Sequence, residues 1–126
     1  MRQTITSPHI TPPVGPYSHG VAASGELVYL SGQTGQDPAT GEIVDGGVGA
    51  ETRQVLANLS SVLDAAGIGF AAVVKCNVFL VDMADFAAMN TVFAEIIPGP
   101  FPARSTVAVA ALPLGAHVEI ECVAVR

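Results

Sequence analysis

The sequence predicts an α+β fold, a mixed β-sheet with two helices packed on one face. Three observations carry this. Two segments repeat apolar residues at the helical period, and each ends on a helix-stop signal. The other apolar segments are short, rich in β-branched residues and bounded by Gly, Pro, Asp or Ser. Their order, β-β-β-α-β-α-β-β, runs without a linker or low-complexity segment through 126 residues, a length that suits one domain spanning 1–126.

Each element has a local reason. Residues 7–16 hold four prolines and read as an irregular extended arm. Ser24-Gly25 divides Gly20–Ala23 from Leu27–Ser31, which reads as a hairpin. Gly32 to Gly47 is a loop, with a short strand at Glu42–Val44. Val48, Val55, Leu56, Leu59, Val62, Leu63 and Ala66 then share one helical stripe, closed by Gly67. Val73–Val81 is a β-branched strand. Asp82 and Asp85 suit a helix N-terminus. Phe86, Met89, Phe93 and Ile97 form the second stripe, and Pro98 stops it. Strands at Arg104–Ala111 and Ala116–Val125 flank the turn Leu112–Gly115.

Composition narrows the function. Half the residues are hydrophobic and only 13% are charged, with a net charge of −6 and five Lys or Arg in all. No basic cluster exists to hold nucleic acid. No apolar stretch reaches the ~18 residues of a membrane span, and the N-terminus lacks a signal peptide, so the expectation is a cytoplasmic protein. Cys76 and Cys122 lie in strand-like runs and read as buried free thiols. Ser105, Val107 and Val109 alternate with Thr106, Ala108 and Ala110, and neither side of that strand is strongly polar. This predicts a strand covered on both faces, and so subunit contacts on the sheet.

Arg104 is the residue that calls for chemistry. It is a scarce cation at the mouth of an apolar strand, where an unpaired guanidinium is costly. Its partner is either a protein carboxylate or an anionic ligand. Glu119 and Glu121 project to one side of the last strand, and either carboxylate suits acid–base work. If the last two strands form a hairpin about Leu114, Arg104 and Glu119 start ~17 Å apart along it. No substrate of three or four carbons spans that. Either one of them is outside the site, or the site joins Arg104 of one subunit to Glu119 of another. His117, Glu119 and Glu121 alternate as two metal ligands can, but no third or fourth ligand is identifiable, and a polar strand face explains them. No phosphate loop, nucleophile elbow or zinc-type cysteine pair is present.

Six segments run in order across nearly the whole chain: Gly15-Pro16-Tyr17-Ser18, Ser31-Gly32-Gln33, Thr40-Gly41-Glu42, Val81-Asp82-Met83 with Phe86 and Asn90, Phe101-Pro102-Ala103-Arg104-Ser105, and Val118-Glu119-Ile120-Glu121. On these the chain resembles the RidA (YjgF) family of enamine/imine deaminases. The resemblance implies a chorismate-mutase-like fold, a trimer whose sheets form a central β-barrel, and a pocket at each subunit interface. It implies hydrolysis of 2-aminoacrylate and 2-imino acids to 2-keto acids and ammonia, with no metal or organic cofactor. Arg104 matches the carboxylate-binding arginine, and the match selects Glu119 over Glu121 as the residue that handles water. Tyr17, Ser31, Gly32 and Asn90 match pocket positions. Thr106 departs from a common cysteine, although its backbone amide is still available to a carboxylate. His19 departs from a common glutamine, and reads as a surface histidine. Besides a different substrate on the same fold, two other readings stand beside the deaminase. One is a regulator that binds 2-keto acids without turnover. The other is an endoribonuclease-type translation inhibitor, against which the acidic balance weighs.

Overall fold

A computed structural model of the chain describes residues 2–126. Six strands and two helices run in the order β1 (Arg2–Ile5), β2 (Gly20–Ala23), β3 (Leu27–Thr34), α1 (Gly47–Ala65), β4 (Val73–Leu80), α2 (Phe86–Ile96), β5 (Ala103–Ala108) and β6 (Val118–Val125). The main sheet has the strand order β3-β6-β4-β5. β6 is antiparallel to both its neighbours, and β5 is parallel to β4. The sheet is therefore mixed, as the sequence predicts.

Both helices cover one face of it. On β4 and β6, Cys76, Val78, Leu80, Val118, Ile120, Cys122 and Ala124 are buried. They meet Val55, Leu56, Leu59 and Leu63 of α1 and Met89, Val92 and Phe93 of α2 in one cluster. The other face carries no helix, and Leu27, Tyr29 and Val107 are exposed there. Cys76 and Cys122 are opposed across β4 and β6, with their sulfurs 3.3 Å apart and unbridged.

The helix boundaries follow from their signals. α1 ends in a Schellman turn: Gly67, at φ +75°, donates to the Asp64 carbonyl, and Ile68 donates to that of Leu63. The Asp82 carboxylate accepts from the Ala84 N–H at 2.8 Å and caps the single 3-10 turn that leads into α2. Val62 is the exception to the α1 stripe. It is 41% exposed, while Glu51 and Thr52 are buried in its place.

Four strand assignments differ from the sequence reading. β2 does not fold back on β3; it pairs with β1, which the pattern did not reveal. After Gly25 the chain instead meets the C-terminus, where Glu26 and Arg126 exchange backbone hydrogen bonds of 2.8 and 3.0 Å. Eight-residue β6 offers β3 a longer ladder than four-residue β2 can. Glu42–Val44 forms only an isolated bridge, Ile43 to Gln36. β5 and β6 are not a hairpin, because α2 carries the chain over the sheet and returns β5 parallel to β4, leaving β6 to insert on the far side of β4. β5 is thus an edge strand ending at Ala108, and in this chain one of its faces is open.

Packing makes two expectations. Leu59 is fully buried, so Leu59→Ala is expected to cost about 2–5 kcal/mol, against under about 0.5 kcal/mol for Val62→Ala, by denaturant titration. The hydrogen bond with Cys76 and burial push the Cys122 thiol up, so neither thiol should react with a disulfide reagent until the protein unfolds.

Candidate active site

The site begins with a cation that the chain has buried. Arg104 pairs with Cys76 in the β5–β4 ladder, and its side chain rises on the helix-covered face. It is 9% exposed. Its guanidinium carbon lies 5.1 Å from the ring centre of Phe93, 5.4 Å from Tyr17 and 5.7 Å from Phe86. Among the described residues its head makes one hydrogen-bond contact, to the Met89 sulfur 4.0 Å from Nη1. Nε has no partner, and no carboxylate of the described residues forms an ion pair with it. Burial draws its pKa down from the usual arginine value, with Cys76 and Tyr17 opposing. A guanidinium still holds its proton under any ordinary condition. The aromatic faces offset part of its desolvation, and an anion would offset the rest.

Other polar groups converge on it. A Cβ on Gly15 would fall 3.1 Å from Asn90 Nδ2 and 3.2 Å from Arg104 Nη2, so this position admits no side chain without displacing both. Asn90 Oδ1 and Thr106 Oγ1 are buried without a partner among the described residues. Val14, Tyr17, Phe86, Arg104 and Thr106 line a cavity of about 160 Å³. Phe86 and Met89 belong to the stripe that the sequence marks as core. Here that stripe also walls the cation.

The proline arm brings Tyr17 to the cavity. Ser18 donates through its N–H to the Pro102 carbonyl at 3.0 Å and through Oγ to that of Phe101 at 2.6 Å. The Tyr17 hydroxyl accepts from the Val14 N–H at 3.2 Å. His19 is not a free surface histidine. Its Nδ1 accepts from the Ser7 N–H at 3.1 Å, and Nε2 lies 3.0 Å from the Thr11 carbonyl. With the proton on Nε2, one ring staples the start of the arm to its middle, Ser7 to Thr11.

The remaining predicted residues lie on the opposite face. Glu119 pairs with Thr34 and Phe79 in the β6 ladders. A bulge in β3 leaves Ser31 and Gly32 between the paired positions Leu30 and Gln33. Glu119 folds over that bulge, where a Cβ on Gly32 would come 2.9 Å from its Cδ. Glu121 accepts from Asn77 Nδ2 at 3.2 Å, whereas Glu119 has no hydrogen-bond partner among the described residues. The structure thus separates two carboxylates that sequence reading alone left equivalent. Ser31 joins Tyr29, Asn77 and Glu121 around a second concavity on this face. His117 does not share that face, because its Nδ1 pairs with Glu51 of α1.

Two half-sites result. Tyr17, Arg104 and Thr106 line the cavity on the helix side, with Asn90 beside Gly15 and the Arg104 head, and Ser31, Gly32 and Glu119 gather on the open side. The hairpin spacing of ~17 Å does not apply, since β4 lies between β6 and β5. Arg104 stands level with Cys122. Glu119 is three residues along and two strands across, ~14 Å away by strand spacing. The sheet itself separates the two side chains.

Four of the five cations are engaged elsewhere. Arg53 pairs with Glu95 and Arg126 with Glu26, while Arg2 donates to the Pro100 carbonyl and Lys75 to Ser105 Oγ. Arg104 lines a cavity instead. Among the described residues no helix is long and apolar enough to cross a membrane.

Comparison with known proteins shows the family. Residues 8–126 match the model of a family described as endoribonuclease L-PSP. A goat protein named 2-iminobutanoate/2-iminopropanoate deaminase is 44% identical over 126 residues, covering all of this chain and 91% of its own length. The crystal structure of RidA from an Antarctic Psychrobacter species is 44% identical and superposes with a TM-score of 0.78, over 98% of this chain and 99% of that one. A Rid-family protein of unknown function from Yersinia pestis, YyfB, reaches a TM-score of 0.89 at 35% identity, over 99% of this chain and 98% of its own. With the family model matched from the proline arm to the last residue, and a full-length relative at 44% identity, the chain belongs to the endoribonuclease L-PSP family, that of RidA.

Proposed function

We propose that this protein is an enamine/imine deaminase that hydrolyses 2-aminoacrylate and 2-imino acids to 2-keto acids and ammonia. The observation that carries this is Arg104, a buried guanidinium that lies beside a cavity of about 160 Å³ and forms no ion pair with a carboxylate among the described residues. A two-point contact with a substrate carboxylate supplies the missing anion. Tyr17 and Phe86 wall the rest of a small 2-imino acid, Asn90 holds its edge, and the Thr106 amide supports the anchor.

The second half of the site comes from another copy. Glu119 and Arg104 lie on opposite faces of one sheet, so one chain cannot close both on a substrate of three or four carbons. A homotrimer with its open sheet faces turned inward, as a central barrel, covers Leu27, Tyr29 and Val107 and seats Glu119, Ser31 and Gly32 against the neighbour's Arg104. Water adds to C2 of the imino acid. Glu119 takes its proton, the Gly32 backbone holds the water, and the same proton passes to nitrogen. The carbinolamine hydroxyl then gives up its proton, which Glu119 passes to nitrogen as the carbonyl forms; the C–N bond breaks, ammonia leaves and the 2-keto acid remains. Imines hydrolyse unaided in water, so positioning and one acid–base group suffice.

Two free thiols 3.3 Å apart suit a reducing compartment, which we take to be the cytoplasm. RNA is not the proposed substrate. The four cations outside the cavity are held by their own contacts and scattered over the chain, and form no basic stripe.

Two variants test the assignment, with imine generated by a threonine dehydratase. Arg104→Ala is expected to abolish 2-oxobutanoate binding by calorimetry and to slow imine decay about a hundredfold or more, since a charged hydrogen-bond pair is lost. Unchanged decay would sink the anchor. Glu119→Gln is expected to keep that binding and lose about 10²-fold or more in kcat. Binding without any acceleration by the parent protein would favour a regulator over an enzyme.

A further inference from the structure

Glu51 is a carboxylate in an unexpected place. It lies in α1 and is 1% exposed. A buried carboxylate needs donors around it. Both come from His117: its N–H donates to Oε1 at 2.8 Å, and its ring Nδ1 pairs with Oε2. The His117 carbonyl in turn accepts from the Val81 N–H at 3.3 Å. One residue before β6 is therefore tied to α1 and to the end of β4 at once.

What lies beside this tie gives it consequence. Glu119 is two residues beyond His117, ~7 Å along the strand. Thr34 pairs with Glu119, and Gly35 follows Thr34. A Cβ on Gly35 would fall 2.9 Å from Glu51 Cα, so backbone meets backbone there. Glu51 is thus wedged against the end of β3 and the start of β6. Those two strand ends carry Gly32 and Glu119.

We infer that Glu51 and His117 are positioning residues, whose pairing sets the Glu119 carboxylate against the Gly32 backbone where water is to be held. The chemical part rests on the deaminase reading. The mechanical part, coupling of His117 to the Gly32–Glu119 edge, does not.

The pairing is also open to protons. The His117 ring is half exposed, and the acidic groups facing it are Glu51 from α1 and Asp85 from the turn before α2. The Glu51 hydrogen bond, then its charge, raises the His117 pKa above 6.5. The sign follows. A histidine whose folded pKa is raised contributes fully below its unfolded value, and that contribution fades as pH climbs through the folded one. The charged pair is therefore strongest below about pH 6.5 and weakens as pH climbs through the raised value.

The parent, His117→Asn and His117→Ala decide the matter. An asparagine Nδ2 stands where Nδ1 stands and donates to Glu51 without titrating. Amide N–H resonances of Gly32 and Glu119 are followed from about pH 5 to about pH 9, alongside imine hydrolysis. In the parent both amides should move with the His117 titration, and kcat should fall across it. In His117→Asn neither should move, and kcat should stay within about twofold of the parent's neutral value. His117→Ala should lose about tenfold in kcat with little change in KM, the signature of misplaced groups. Amides that ignore the titration overturn the inference. So does a His117→Ala protein that melts earlier yet keeps the parent's kcat and pH profile. A parent that leaves imine decay unchanged sinks the deaminase reading alone, and the amide titration then decides the coupling by itself.

Discussion

A β-sheet is one residue thick, and successive side chains leave it on opposite faces. Everything in this protein is arranged around that constraint. Two helices cover one face of β3-β6-β4-β5 and bury its even-numbered apolar residues on β4 and β6. The second face is left with Leu27, Tyr29 and Val107 in the open. The same alternation divides the chemistry. Arg104 belongs to the covered face and Glu119 to the open one, and no rotamer of either carries it through the sheet. A site that uses both must be assembled between copies.

On the covered face, one guanidinium is largely taken out of water. The chain meets it with three aromatic rings and a thioether, and with no carboxylate among the described residues. An internal ion pair would have quenched the charge. Rings leave it available, because they stabilise a cation without occupying its hydrogen-bond donors. Gly15 and the stapled proline arm then close the approach to one small cavity. The open face is organised differently. There the bulge at Ser31–Gly32 turns the strand under Glu119, and Asn77 engages Glu121, which distinguishes two neighbouring carboxylates. The Glu51–His117 tie sits at the edge joining these strands, where helix, carboxylate and strand ends meet.

Much of this is legible in the chain. The α1 and α2 stripes, the Gly67 stop and the Asp82 cap are local signals, and local hydrogen bonds decide them. Arg104 stands out because a scarce charge inside an apolar run is costly wherever the strand goes. Strand partnership is another matter. β2 pairing with β1, and β6 inserting between β3 and β4, are choices among ladders of similar local quality. They depend on ladder length and on the α2 crossover. Val62 and Glu51 show the same limit inside a helix, since period alone does not reveal what packs above each position.

By itself, then, the sequence determined the element types, the helix ends, the scarcity of Arg104 and the family to which its motifs point, because each is written in neighbouring residues. The tertiary structure alone decided which strands are neighbours, which face each side chain takes and which of two glutamates is free. Those outcomes arise from contacts between residues far apart in the chain, such as Leu30 with Cys122 and Cys76 with Arg104, and no local pattern encodes which distant ladder wins.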